Sequence, residues 1–424
     1  MLCWTPLSAA LEDPLLAEEK LGVIAEGLVL EWPERVNPNG KTEREISALV
    51  FSPDLERFAY VSYRGQRPVA VVGAEVFENF DYVEQPVFSD DSLHVAFRVE
   101  ERISPKAERW HVLLDGKKIA AWDWIDSIAF VPDSDKLAYW SWPGARLDHD
   151  GIYAGGRKVL VFAGRKGDEW SDGDRTPVFS RDGRFAVTTV EQGSQWFVLK
   201  VGKKEEIVSE GFSMIGDVAI SPDGKRVAFA VWQRQGPGPL EGKWRIHEGK
   251  QELGEKYEFA GFAQFTPDGS KLAYRFARGG KYGVVVGDKE SSPARFEWIS
   301  EVAFSKDSRQ VAVVGNQGGK PDLQLVAMGL GHLAQVGGGR WVVQWKDWTS
   351  AKFDEIKNLC FRNDGKELAF CARTGVKWRV HPTASSGPEC DAVGPPRFSR
   401  DGKTVRHGAR LGREVWVKAV ACEK

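Results

Sequence analysis

The chain has 424 residues, long enough for two or three ordinary domains or for one large repeat protein. Its 58 Lys and Arg residues against 60 Asp and Glu residues leave a formal net charge of −2, which excludes a global basic field that would attract nucleic acid or an acidic membrane. No apolar run approaches the ~20 residues needed to span a bilayer, and the five cysteines lack the CxxC spacing of a zinc site and are odd in number for a disulfide framework.

The N-terminal residues 1–23 are predicted to form an arm or a short helix outside the main domain, which then comprises residues 24–424. Leu11, Leu15, Leu16 and Leu21 recur near helical spacing in this arm. The first residues also lack the basic and long apolar regions of a secretory signal. We therefore expect a cytoplasmic protein.

A short motif recurs along the rest of the chain: an aromatic or aliphatic residue, two variable positions and an Asp. The mean spacing of the Asp residues is about 43, which matches the ~40–45 residues of a propeller blade. A Gly often follows the Asp, as expected for a tight turn between two strands, so we interpret each Asp as a turn residue. The nine copies are Phe51 to Asp54, Phe88 to Asp91, Phe130 to Asp133, Phe179 to Asp182, Ile220 to Asp223, Phe265 to Asp268, Phe304 to Asp307, Phe361 to Asp364 and Phe398 to Asp401.

Each motif is followed by the pattern of further strands. In seven copies an apolar residue and an Ala stand four and five residues after the Asp, as in Val227 and Ala228. Consecutive strand residues lie on opposite sheet faces, so the large and the small side chain should pack against different neighbouring blades. A third strand and a weaker fourth follow. The sequence therefore predicts an all-β chain, a single closed β-propeller of nine four-stranded blades, with eight blades as the alternative; we name the strands A to D.

Closure of the ring requires one more strand. After the last motif only two strands fit, Thr404 to Ala409 and Glu414 to Val420, so the last blade lacks its outer strand. The segment Gly27 to Trp32 precedes the first motif and belongs to no blade. We expect this N-terminal segment to complete the last blade, because pairing the chain ends removes open sheet edges.

The clearest copy of the motif runs from Ile220 to Ala228 and reads Ile-Ser-Pro-Asp-Gly-Lys-Arg-Val-Ala. It resembles the WD40-like repeat of TolB-type β-propellers, which also occurs in the propeller domains of prolyl oligopeptidases. The resemblance spans residues 24–421. It implies the fold and leaves the activity open, because that family includes both partner-binding scaffolds and domains that gate an attached enzyme.

The connections between strands B and C are long in four copies, whereas the other turns stay short. They run over Val99 to Arg109, Ser141 to Arg157, Gln233 to Lys243 and Gly315 to Arg340. Insertions on one face of a repeat scaffold often form its binding side, although solvated loops without a role would look similar. Trp140 and Trp142 fall outside the repeat pattern and suggest either an exposed recognition patch or local packing. The candidate partner-binding residues are Arg102, Trp140, Trp142, Arg146, Asp148, His149, Arg234, Lys320 and Asp322.

No catalytic or metal-binding motif is recognisable, and no cofactor is expected. The seven histidines show no HxH or HxxxH spacing, and neither a GxSxG motif nor a phosphate-binding loop is present. Two function classes follow. The first is a non-enzymatic scaffold, a monomeric ring or a subunit of a hetero-complex, that binds a protein or peptide and no nucleic acid or membrane. The alternative is an enzyme, or a binder of a small ligand or metal, that uses the central channel.

Overall fold

The computed structural model of the chain describes residues 15–28, 35–36, 42–43, 49–104, 107–147, 153–235, 242–321 and 336–422. Strands and turns make up all of these residues, and they include no helix that could cross a membrane. Nine antiparallel sheets follow one another along the chain, and the first strands of neighbouring sheets contact each other around a common axis. The protein is a nine-bladed β-propeller, and the eight-bladed alternative is wrong.

The first four blades contain, in order from strand A to strand D, the following strands. Blade 1 has Val50–Phe51, Phe58–Arg64, Arg67–Val72 and Glu75–Phe77. Blade 2 has a divided first strand, Tyr82–Val83 and Val87–Phe88, then Val95–Ser104, Ala107–Leu114 and Lys117–Trp122. Blade 3 has Ile125–Phe130, Leu137–Ser141, Lys158–Phe162 and Arg165–Trp170. Blade 4 has Asp172–Phe179, Ala186–Gln192, Gln195–Val201 and Glu205–Ile207.

The remaining blades follow the same order. Blade 5 has Ile215–Ile220, Val227–Arg234, Gly242–Glu248 and Gln251–Tyr257, and blade 6 has Phe259–Phe265, Leu272–Arg278, Lys281–Val286 and Lys289–Phe296. Blade 7 has Trp298–Phe304, Val311–Gln317, Arg340–Trp345 and Trp348–Thr349. Blade 8 has Glu355–Phe361, Leu368–Thr374 and Lys377–Pro382, and its fourth position is taken by the segment that bridges Cys390 to Trp378. Blade 9 has Ala392–Val393 with Arg397–Phe398, then Thr404–Leu411, Glu414–Ala421 and Leu15–Val23.

Among the described residues, three short hairpins with two-residue strands are separate from the nine blade sheets. Arg35–Val36 pairs with Thr42–Glu43 before blade 1. Arg146–Leu147 pairs with Tyr153–Ala154 inside blade 3, and Lys320–Pro321 pairs with Val336–Gly337 inside blade 7. The long step between Asp307 and Asp364 is therefore an insertion within blade 7.

The recurrent Asp residues form the turn between strands A and B, as predicted. In blade 5 the Ser221 hydroxyl donates to Asp223 Oδ1 at 2.6 Å and accepts the backbone N–H of Arg226 at 2.9 Å. Asp223 Oδ1 in turn accepts the N–H of Lys225, and Gly224 between them has a φ of 73°. The same hydroxyl and carboxylate pair recurs in blades 1, 2, 4, 6, 7 and 9.

The apolar-Ala pair separates the two faces of each blade, also as predicted. Val227 packs in the cluster shared by blades 4 and 5, whereas its neighbour Ala228 packs in the cluster shared by blades 5 and 6. Small residues let rings from the next blade approach: a Cβ added to Gly408 of blade 9 would lie 2.3 Å from the ring of Phe51 in blade 1. The core thus lies in the seams between blades.

The chain ends close the ring, but the closing strand differs from the predicted one. Leu15–Val23 pairs with Glu414–Ala421 and forms the outer strand of blade 9, so this part of the expected arm or helix is a strand. Gly27 and Leu28 lie in the turn that follows, and residues 29–32 of the expected strand lie outside the described residues. The leucine spacing was misleading because the strand is irregular, with register shifts between Leu15 and Ala17 and between Lys20 and Gly22.

Charge pairing and burial both favour this closing strand. Lys418, only 3% exposed, donates to the Glu18 carboxylate, and Lys20 donates to Glu414. Directly after the strand, Ile24 and Leu28 are buried between blade 9 and blade 1.

Removing the Glu18 carboxylate should weaken the closed ring. We expect Glu18→Ala to lower the free energy of unfolding by about 1–3 kcal/mol, because the buried Lys418 ammonium loses its partner. Denaturant unfolding at pH 7 measures this change. The control is Glu19→Ala on the same strand, where the exposed side chain predicts a change within about 0.5 kcal/mol. Equal effects of the two substitutions would contradict this account of closure.

Candidate functional site

Four connections between strands B and C extend beyond their blades on one face of the ring. In blades 2 and 5 strands B and C themselves lengthen into two-stranded ribbons, paired to Ser104 and Ala107 and to Arg234 and Gly242. In blades 3 and 7 a separate short hairpin continues the connection. Because every blade has the same strand order, all four project on one side, which we name the loop face.

Four of the sequence-predicted site residues are exposed on this face. They are Arg102, Arg146, Arg234 and Lys320, one on each long connection. Arg102 pairs across its ribbon with Glu108, with 3.3 Å between Nη2 and Oε1. The four residues share the loop face. Because they belong to four different blades, they do not form one compact cluster. Asp148, His149 and Asp322 lie outside the described residues.

The two predicted tryptophans are part of the packing, which corrects the interpretation of Trp140 as a recognition residue. Trp140 is 1% exposed and lies so close to Gly173 of blade 4 that a Cβ there would be 2.5 Å from its ring. Trp142 is half-buried, and the Lys158 ammonium lies 4.9 Å from the centre of its ring. A side chain in strand B must fill the seam between blades, so Trp140 cannot contact a partner.

In several blades an acidic side chain before strand A accepts a backbone N–H of the B–C connection. Asp391 Oδ2 accepts the N–H of Gly412 at 2.6 Å, and Asp354 Oδ2 accepts the N–H of Gly375 at 2.7 Å. In blade 2, Asp81 accepts the N–H of Arg102 itself at 2.7 Å. These bonds satisfy backbone donors at the point where strand B leaves the sheet.

The same carboxylates join neighbouring blades through a cation at the start of strand C. Lys377 of blade 8 lies 2.6 Å from Asp391, and the pKa of Asp391 is lowered chiefly by this hydrogen bond. Arg340 of blade 7 lies 2.7 Å from Asp354. Equivalent pairs are Arg109 with Asp123 and Lys281 with Glu297. The loop face therefore rests on a repeated set of charged hydrogen bonds.

Sequence reasoning missed this set, although a signal for it is present. An acidic residue stands seven positions before the anchor of the repeat in seven of the nine copies. They are Asp81, Asp123, Asp172, Glu258, Glu297, Asp354 and Asp391. Their positions lie in the linker before the recognisable motif, where strand periodicity is weakest.

The ribbon of blade 2 carries an unusual carboxyl group at its base. Glu100 is 9% exposed, and burial, followed by the nearby carboxylate of Glu108, raises its pKa to about 7. Apolar side chains are also exposed on this face at the tips of two connections, Ile103 at 67% and Val376 at 82%. The face thus combines fixed arginines, a carboxyl group that titrates near neutral pH and exposed aliphatic groups.

Polar groups around the channel hold the blades together. Asp217 Oδ2 accepts the N–H of Ala263 from the next blade at 2.6 Å, and Glu301 Oε1 accepts that of Leu359 at 2.8 Å. Burial lowers the pKa of Arg275 to about 10, which is still well above neutral pH, so its guanidinium stays charged. The guanidinium donates to two backbone carbonyls in strand A of blade 7. Within the described part of the chain, no three His, Cys, Asp or Glu side chains are grouped so that they could hold a metal ion.

Four of the cysteines lie in the last two blades as free thiols. Cys371 and Cys390 are fully buried, and Cys371 donates to the carbonyl of Gly394 at 3.4 Å. Burial raises the pKa of Cys360, Cys371 and Cys422 to about 12 and that of Cys390 to about 11. At neutral pH these groups are thiols, which are poor nucleophiles and poor metal ligands.

These thiols should resist modification in the folded protein. We expect iodoacetamide at pH 8 to leave all four unmodified over an hour in a Cys3→Ser variant, because thiolate is the reactive form. The same reagent in guanidinium chloride should modify all four, which mass spectrometry counts. Rapid modification of any of the four in the native state would contradict the raised pKa values.

The anchor at Asp391 should contribute to stability through its charge. We expect Asp391→Ala to lower the free energy of unfolding by about 1–3 kcal/mol at pH 7, since two donors lose their acceptor. The pKa of Asp391 is lowered in the folded state. Its carboxylate therefore stabilises the fold fully above pH 3.8, and this stabilisation is lost as the pH falls from 3.8 through the folded-state pKa. Denaturant unfolding at pH 7 and pH 3 measures both effects. Asp288→Ala, at an exposed turn, is the control and should change little.

No protein-family model matches the chain, and no curated protein matches it. Among solved structures the chain is similar to a eukaryotic initiation factor, at 13% identity and a TM-score of 0.47 over 84% of this chain and 90% of that one. It is also similar to the propeller domain of the Trilobed protease from Pyrococcus furiosus, at 17% identity and 0.37 over 72% and 97% of the two chains. TolB from Acinetobacter baumannii matches at 10% identity and 0.29 over 88% of this chain and 63% of its own. These likenesses are too distant to indicate an activity.

Proposed function

We propose that this chain is a WD40-like β-propeller that binds a protein or peptide partner on its loop face. The observation that carries the proposal is the placement of the long connections. All four belong to the B–C position and therefore project on one face. The A–B turns on the opposite face keep the short Ser-x-Asp form in most blades. One-sided elaboration of a regular scaffold is typical of a binding surface.

The anchoring of these connections supports binding rather than passive solvation. In blades 2 and 3, Asp81 accepts the N–H of Arg102 and Asp123 accepts that of Gly144, and each bond reduces the freedom that a partner would otherwise have to restrict. A preorganised base with projecting ribbons also resembles the rigid surfaces that change little on binding.

The chemistry of the exposed side chains is suited to a protein surface. Arg102 and Arg234 can form charged hydrogen bonds with carboxylates or carbonyls of a partner. Ile103 and Val376 supply aliphatic area at the tips of blades 2 and 8. Interfaces combine such apolar contacts with a polar rim in which arginine is enriched.

The alternative, chemistry in the central channel, has less support. The described carboxylates Asp217 and Glu301 are hydrogen-bonded to backbone groups of the neighbouring blades. Their positions are explained by the β-bulges in strand A, which leave backbone donors without a partner in the ladder. Enzymatic or small-ligand use of the channel therefore stays a prediction from the sequence.

Charge reversal on the loop face tests the proposal. We expect the variant Arg102→Glu/Arg146→Glu/Arg234→Glu to capture partner proteins from its source cells in amounts at least tenfold below those of the wild type. The reason is that the substitutions invert the electrostatic complementarity of the face. Quantitative mass spectrometry of the captured proteins measures the loss. The matched control is Lys225→Glu/Arg309→Glu/Lys366→Glu, which makes the same charge change on exposed A–B turns. Equal recovery with both variants would show that the loop face is not the binding side.

A further inference from the structure

A cleft opens at the rim of the ring between blades 2 and 3, away from the loop face. It encloses about 560 Å³ between strand D of blade 2 and strands B and C of blade 3. Ile119, Trp122, Leu137 and Tyr139 form much of its apolar wall. Ile119 is 51% exposed, although outer strands of propellers are usually polar on their solvent side. Its size lies within the ~300–1,000 Å³ of ligand-binding clefts.

The neighbouring seam between blades 3 and 4 has a smaller cleft, of about 380 Å³, that polar contacts cross. Between blades 3 and 4, Arg165 donates to two backbone carbonyls, those of Gly202 at 2.5 Å and Lys203 at 3.1 Å. Glu205 accepts the N–H of Asp168 at 3.0 Å, so the outer strands of blades 3 and 4 are directly bonded. At the seam of blades 2 and 3 the small residues Ala120 and Ala121 line the cleft. Trp122 there is half-buried, whereas Tyr139 is only 7% exposed.

Two lysines stand at the edge of the cleft. Lys166 of blade 3 reaches over the indole of Trp122 in blade 2, with 4.3 Å between Nζ and the ring centre. Lys136 stands in the adjacent A–B turn and is exposed. Neither lysine forms an ion pair with any residue that the structure describes, and Asp135 is the one carboxylate of the lining. The cleft thus carries positive charge beside an apolar wall.

The cleft also borders an open sheet edge. Lys117–Trp122 is the last strand of its sheet, so the outer edge of this strand is available for backbone pairing. An extended peptide that pairs with such an edge places alternate side chains on one side, here towards the cleft. A small anion could use the lysines but would leave both this edge and the apolar wall unused.

We propose that the cleft between blades 2 and 3 binds a short acidic peptide segment of a partner protein, with one apolar side chain seated against Ile119 and Trp122. Carboxylates of the segment pair with Lys136 and Lys166. This site is separate from the loop face, and the proposal does not depend on the function proposed for that face.

Selection from a random ten-residue peptide display library tests the proposal. The wild-type protein is the bait, and Lys136→Glu/Lys166→Glu is used for counter-selection. We expect enriched peptides to be acidic and to share an apolar position. Their dissociation constants, measured by fluorescence anisotropy, should rise at least tenfold in the double variant and in Ile119→Asp. Raising NaCl from 50 to 500 mM should weaken peptide binding, because exposed charges are screened.

Three controls separate the possible sources of an effect. Lys136→Arg/Lys166→Arg keeps the charge and should retain most of the affinity, and Lys225→Glu/Arg309→Glu should leave the affinity within twofold. The loop-face variant Arg102→Glu/Arg146→Glu/Arg234→Glu should also bind the peptides normally. Thermal unfolding of each variant verifies that the fold is intact.

The proposal is wrong if the selection yields no peptide whose binding depends on the two lysines, or if the enriched peptides are neutral or basic. It is also wrong if ATP, used as a small aromatic anion, binds in a lysine-dependent manner while no peptide does. Loss of peptide binding in the loop-face variant, with the cleft variants unaffected, would assign the binding to the other site.

Discussion

Pairing of Leu15–Val23 with Glu414–Ala421 is the constraint on which the rest of the structure depends. Each blade buries its apolar faces only against its two neighbours, so an open ring would expose the facing sides of blades 9 and 1. The closing strand joins sequence positions about 400 residues apart, and the buried Lys418 fixes its register through Glu18. Bringing these two ends together costs chain entropy. The packing in all nine seams must therefore offset this cost together.

Two repeated sets of polar contacts stabilise the ends of the blades. On one face a Ser or Thr hydroxyl and an Asp organise the A–B turn, as Ser221 and Asp223 do in blade 5. On the loop face a carboxylate seven positions before the anchor accepts a backbone N–H and meets a cation from the preceding blade, as Asp391 does. Such charge-assisted hydrogen bonds are stronger than neutral ones, which suits positions at the ends of sheets where the ladder stops.

Function in such a scaffold resides where the repeats diverge. The regular blades 4 and 6 have short connections, whereas blades 2, 3, 5 and 7 carry the extended ones. Around the rim, Arg165 bonds across the seam between blades 3 and 4, and the seam between blades 2 and 3 has a larger cleft beside two lysines. The loop face and the rim cleft lie on separate parts of the ring, so one molecule can present both.

The sequence alone determined the repeat, its period and the roles of its residues. Each anchor and its Asp stand within a single turn, and the alternation of Val227 and Ala228 across a strand is a local property, so the nine blades and the placement of the long connections could be predicted. The acidic anchors such as Asp391 left a periodic signal that was present but weaker.

Only the tertiary structure decided the features that depend on residues far apart in the chain. The identity of the closing strand followed from the pairing of Glu18 and Lys20 with residues near the other end, which local leucine spacing could not reveal. The burial of Trp140 followed from Gly173 in the next blade, and the rim cleft is lined jointly by Trp122 of blade 2 and Tyr139 of blade 3. The physical reason is that packing between blades is set by side chains that meet only after the ring has formed.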